Sequence, residues 1–166
     1  PNQLGIDYFD FDDAYGKKEN FLCSKDLKEF VEKNHLDLNT DGVFNPRYVF
    51  GSRLHSDHLY NTPRGWFMAR YLMPTRFKWD GENADFTPES DNIPWSFVPE
   101  KKVTVEDIKY LLSSHYQGTP YDPYAKCPTE FATKYRPISV SSTAHSSIMQ
   151  IRGYMPKESQ GVEWVF

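Results

Sequence analysis

The sequence predicts an α+β fold, with mixed helices and antiparallel strands in a single domain over residues 1–166. Three observations lead there. Apolar residues recur at helical spacing at residues 24–38, 63–73 and 104–118, each time behind a capping residue. Alternation with a period of two dominates the stretch after residue 137 and the C-terminal end. The order of these elements along the chain is that of an α+β protein.

Residues 4–11 read as a strand, followed by an acidic turn at Asp12 and Asp13. In SKDLKEFVEKNHLDL, Ser24 stands as the cap, and Leu27, Phe30, Val31 and Leu38 share a face. Residues 39–61 are loop-like, with Gly, Asn and Pro around a short apolar patch. The next helix runs from Pro63 to about Met73. Thr62 is its expected N-cap, Pro63 fills the first helical position, and Pro74 ends it. Residues 75–103, rich in Pro, Asp and Trp, read as irregular. TVEDIKYLLSSHYQG is the clearest helix: Thr104 caps it and Asp107 is placed for a capping box. Ile108, Leu111, Leu112 and His115 share its apolar face, Gly118 closes it, and Pro120 bars continuation. PISVSSTAHSSIMQIRGYMP alternates as strands do, around Ile138 and Val140 and again over residues 148–152. Residues 162–166 form the last expected strand.

The totals exclude several classes. A chain of 166 residues holds one domain with a real core, and 16% aromatic residues argue against disorder. A net charge of −4 without blocks of like charge speaks against non-specific nucleic-acid binding. No apolar run approaches the roughly 18 residues of a membrane span, and no signal peptide is expected from the opening residues. Cys23 and Cys127 form no CxxC pattern; a reducing, cytoplasmic compartment is expected, with a single bridge between them left open. The chain starts at Pro1 and stops inside a strand-like GVEWVF, so a piece of a longer protein is expected.

Four features are candidates for chemistry. DLNTDG, residues 37–42, matches the first half of a calcium loop, but its twelfth position is Tyr48 rather than glutamate, and Pro46 intrudes; an ordinary Asp/Asn turn is the better reading. HSDH, residues 55–58, offers two imidazoles and a carboxylate without a spaced third ligand, and reads as a polar loop. His115 reads as a histidine at the core edge; a dyad with Cys127 would need the fold to bring them together. The tryptophans, Trp66, Trp79, Trp95 and Trp164, suit a core better than a stacking platform. No cofactor and no metal site is expected. What stands out is Arg64, placed in the first turn of its helix, where the dipole is already positive. Either it points into water, or two positive elements converge on a carboxylate or a developing oxyanion.

Four stretches together carry a resemblance: NQLGIDYFDFDDAYGKKENFLCSKDLKEF (residues 2–30), YNTPRGWFMARYL (60–72), WSFVPEKKVTVEDIKYLLSSHYQGTPYDPY (95–124) and HSSIMQIRGYMPKESQGVEWVF (145–166). In this order they resemble the bacterial cysteine dipeptidases of the N-terminal nucleophile hydrolase class, whose members run to several hundred residues. The resemblance implies an αββα sandwich of which this chain is an internal or C-terminal part, and hydrolysis of dipeptides by a cysteine exposed as the first residue of the mature chain. In such an enzyme the α-amino group serves as general base. Cys23 and Cys127, whose nitrogens are in peptide bonds, do not fit that role, so the nucleophile is expected outside these residues. More loosely, the resemblance assigns Asn2 as an oxyanion donor and Arg64 to a substrate carboxylate or the thiolate. The expected partners are dipeptides, without nucleic acid or membrane, and a homo-oligomer of the parent remains open. Two rival readings stand: a non-catalytic ligand- or partner-binding domain, and a thiol enzyme working through Cys127.

Overall fold

The structure is a computed structural model that describes residues 8–36, 44–52, 54–94 and 97–166. Two compact units emerge, Pro1–Asp57 with Pro94–Val98, and His58–Ile93 with Pro99–Phe166.

In the first unit, the expected acidic turn is the opening of a short helix, α1 (Phe11–Tyr15). Asp10 decides this: its Oδ1 accepts the amides of Asp12 at 2.8 Å and Asp13 at 3.2 Å, an N-cap that competes with extension. The expected strand is therefore absent over Tyr8–Phe11, and residues 1–7 lie outside the described residues. Asp13 then accepts the amides of Glu19, Asn20 and Phe21, folding the chain back. Helix α2 (Leu27–Lys33) starts at Asp26 rather than Ser24, without a side-chain cap bond. Its buried face holds Val31, whereas Phe30 is half exposed. Phe9, Ala14, Val31 and Phe44 make the core, with Phe11, Phe21 and Leu27 around them. The Phe9–Phe21 centroids are 4.9 Å apart and Phe11–Phe44 4.7 Å, within aromatic pairing range. A short α3 (Pro46–Phe50) lies in what reads as loop.

The second unit is built around α5 (Thr62–Leu72), preceded by the single turn α4 (Asp57–Tyr60), which begins in the first unit. The buried side of α5 carries Pro63, Trp66, Phe67 and Ala69. The irregular segment that follows is tied to it by indoles: Trp66 Nε1 donates to the Phe86 carbonyl at 3.2 Å, and Trp79 Nε1 to that of Met73 at 2.8 Å. Glu100 closes the segment by accepting both the amide and hydroxyl of Thr75 and the amide of Arg76.

Helix α6 (Val105–Leu112) carries the expected capping box between Thr104 and Asp107. It ends six residues before Gly118. Ser113 bonds its hydroxyl back to the Tyr110 carbonyl, and Tyr116 takes a left-handed φ of 67°, so His115 leaves the helix. Strands β1 (Ser147–Ile151) and β2 (Gly161–Val165) pair antiparallel, with Ile148 opposite Trp164 and Gln150 opposite Val162. The strand expected at Ile138–Val140 is a turn, because the Val140 amide donates to the Thr143 hydroxyl instead of a ladder carbonyl.

Candidate active site

The start of α5 differs from its expectation. Asn61, not Thr62, is the N-cap, and it makes no side-chain cap bond. Its carbonyl accepts the amides of Arg64 at 3.1 Å and Gly65 at 3.2 Å. Thr62 and Pro63 are buried, so the first turn is fixed by packing rather than by a hydroxyl cap.

Packing also leaves Arg64 half-buried. Its Nε donates to the backbone carbonyl of Arg136 at 3.3 Å. The hydroxyl of Tyr116, a residue 1% exposed, donates to the same carbonyl at 2.8 Å. The amide of Arg136 in turn donates to the Leu59 carbonyl at 3.0 Å. The Arg136 backbone is thus held on both sides, by α4 and by two side chains from elsewhere in the unit.

Arg64 and Arg136 lie close enough to perturb one another. Burial holds the Arg64 guanidinium below its ordinary value; Tyr116 opposes the shift and the charge of Arg136 adds to it. Burial also pushes the Tyr116 phenol well above its ordinary value, with Arg64 pulling the other way. Among the described residues, neither Arg64 nor Arg136 has an ion-pair partner. Neighbouring cations do: Arg70 pairs with Asp80 at 2.9 Å and Lys134 with Glu89 at 2.7 Å. Glu89 also accepts from the Tyr135 hydroxyl at 2.6 Å, and burial together with that bond pushes the Tyr135 phenol up to about 12.

Beside this node lies a cavity of about 420 Å³, whose lining includes Leu59, Tyr60, Tyr124, Lys134 and Arg136. That size falls within the range of small-molecule sites.

The other sequence candidates are placed differently. Asn2 and the DLNTDG stretch lie outside the described residues. In HSDH, Asp57 is buried and accepts from the Ser52 hydroxyl at 2.7 Å and the Leu54 amide at 2.9 Å, while His58 Nε2 meets Asp91 at 2.8 Å. Among the described residues, no three His, Cys, Asp or Glu side chains form a group able to hold a metal ion. His115 is committed through Nδ1 to Asp122 at 2.6 Å, and Asp122 also accepts the Tyr124 amide. Cys23 and Cys127 are both free thiols, the latter exposed. Trp66 and Trp79 are core, whereas Trp164 lies 39% exposed beneath the Lys109 ammonium.

Sequence reasoning missed Tyr116 and Arg136. The one local signal for Arg136 is Pro137, which biases the preceding residue toward extended backbone. Nothing in spacing connects residue 64 to residue 136.

Comparison with known proteins gives the family of the chain as a whole. The family model for peptidase family C69 matches residues 1–166. A dipeptidase of Bifidobacterium longum is 54% identical over 99% of this chain and 32% of its own length. A probable dipeptidase A of Streptococcus pyogenes is 43% identical, and dipeptidase A of Lactobacillus helveticus 39%, each over 99% of this chain. The chain belongs to peptidase family C69. It spans about a third of the length of these relatives.

Proposed function

We propose that this chain forms part of a dipeptidase and supplies one wall of its active site. The observation that carries the reading is the match to dipeptidases along the whole chain. Arg64 gives it a chemical focus: a guanidinium held in place through Nε by a backbone carbonyl, with no carboxylate partner among the described residues.

The nucleophile is a cysteine at the start of the mature protein, outside these residues. Its thiolate attacks the scissile carbonyl, its α-amino group manages the proton, and a thioester forms as the C-terminal amino acid leaves. Water then hydrolyses the thioester. Both steps pass through an oxyanion, to which Asn2 donates its side-chain amide; losing such a donor typically costs about 2.7–4 kcal/mol. Arg64 answers the negative charge of the thiolate or of the dipeptide's carboxylate, at the positive end of the α5 dipole. The parent adopts the αββα sandwich of the N-terminal nucleophile hydrolases, and works in the cytoplasm on dipeptides. Among the described residues, no helix is long and apolar enough to cross a membrane.

Release of free amino acids from a panel of dipeptides tests the reading in the full-length protein. Turnover that collapses when the first cysteine of the mature chain becomes alanine is expected. Absence of turnover on every dipeptide would overturn it.

A further inference from the structure

The cavity beside Arg64 contains an imbalance of charge that the proposed reaction leaves unexplained. Two cations line it, Lys134 and Arg136. Lys134 is neutralised by Glu89 at 2.7 Å, and that pairing holds the Glu89 carboxyl below its ordinary range. Arg136 is left with its charge: its side chain is exposed and has neither ion pair nor hydrogen bond among the described residues. Its backbone, by contrast, is fixed through Leu59, Tyr116 and Arg64. A floppy surface arginine has a mobile base; this one projects from an anchored backbone at the rim of a cavity of about 420 Å³. Such a site suits one small ligand bearing a single negative charge, with apolar and phenolic surface from Leu59 and Tyr124 against the rest of it.

We propose that this cavity receives the C-terminal half of the dipeptide, and that Arg136 is a specificity-determining residue that binds its free α-carboxylate. The inference rests on the dipeptidase reading and deepens it. A guanidinium presents a planar fork of donors that matches a carboxylate two bonds at a time. The division of labour follows. Arg136 reads the free carboxylate, which sets the chain length that fits, because a longer peptide has an amide there. Arg64, half-buried and one hydrogen bond away from the same backbone, is left for the charge that develops at the reacting centre. The two guanidiniums repel one another, and a bound carboxylate relieves that repulsion.

The test compares alanyl-alanine with its C-terminal amide in the full-length protein, by turnover and by calorimetric binding. The wild type should favour the free acid. Arg136→Ala should lower kcat/KM and affinity for the acid by about ten-fold to a hundred-fold, the range for losing a charged hydrogen-bond partner. The same substitution should cost the amide less than the acid, so that the preference for the acid collapses, and Arg136→Lys should recover part of the loss. Equal losses on acid and amide would make Arg136 structural and overturn the proposal. So would an unchanged preference in an active Arg136→Ala enzyme, which would leave the dipeptidase reading standing. A protein that turns over neither ligand, yet binds acid over amide through Arg136, would sink hydrolysis and keep the site.

Discussion

Arg64 illustrates how a residue that opposes its helix dipole can be held there by its surroundings. A cation in the first turn costs a few tenths to about 1 kcal/mol. Burial of Thr62 and Pro63 fixes the turn, and the Arg136 carbonyl accepts from Nε, so the side chain is aimed rather than free in water. In the full-length protein, Arg64→Lys should therefore lose more than charge-conserving replacements usually do, because lysine has neither the planar fork nor an Nε donor. The expected fall in kcat/KM is about ten-fold to a hundred-fold, corresponding to roughly 1.4–2.8 kcal/mol of transition-state interaction. Arg64→Ala should fall further, while thermal unfolding shows less than about 1 kcal/mol of change. Full activity with a large loss of stability would make Arg64 a structural residue. Its oddity was legible from TPRG alone. Its partners were not, since the Tyr116 and Arg136 contacts are made across residue separations that no local pattern encodes.

At the scale of elements, local capping rules succeeded where the cap residue had no competitor. Thr104 and Asp107 form their box as the spacing predicts. Thr104→Ala should cost about 0.5–2 kcal/mol by denaturant unfolding. Hydrogen bonds from Thr104 and from the Tyr71 hydroxyl hold the Asp107 carboxyl at about 2, below its ordinary 3.8. A depressed carboxyl contributes stability that is complete above its unfolded value and is lost as pH falls through its folded one. The difference in melting temperature between wild type and Asp107→Asn should therefore hold constant from neutral pH to about 4 and shrink between about 4 and 2. A difference that does not change with pH would mean the carboxylate is not what the box uses.

Periodicity failed where polar side chains bond back to the backbone. Asp10 turned an expected strand end into α1, and the Ser113 hydroxyl bonds back into the helix end where the spacing suggested one more turn. That early end carried His115 out of the helix and onto Asp122. On the buried face of α5, Trp66 is 1% exposed and its indole donates to Phe86, so Trp66→Ala should cost about 3–5 kcal/mol.

At the scale of the molecule, the mixed helix and antiparallel strand content was legible from periodicity, but the division into two units was not. Contact between distant segments sets that division, and a single sequence does not display it. The broken calcium pattern, with Tyr48 at its twelfth position, and the commitments of Asp57 and His58 lead to one expectation about ions. Calcium or zinc should leave the melting temperature of the chain unchanged. A native-state binder would add about 2.7 kcal/mol at one hundred times its dissociation constant, so a shift reversed by chelator would contradict this.

The central claim is that this chain frames the reaction without supplying the nucleophile. Both of its cysteines are free, and Cys127 is exposed, so the claim is directly testable. The measurement is dipeptide turnover by the full-length protein carrying Cys23→Ser and Cys127→Ser together, before and after thiol alkylation. The account predicts turnover at the wild-type rate that alkylation still abolishes, because the reactive thiolate lies elsewhere. Turnover lost in the double variant, and traced to Cys127 by the single substitution, would contradict it and place the chemistry inside this chain.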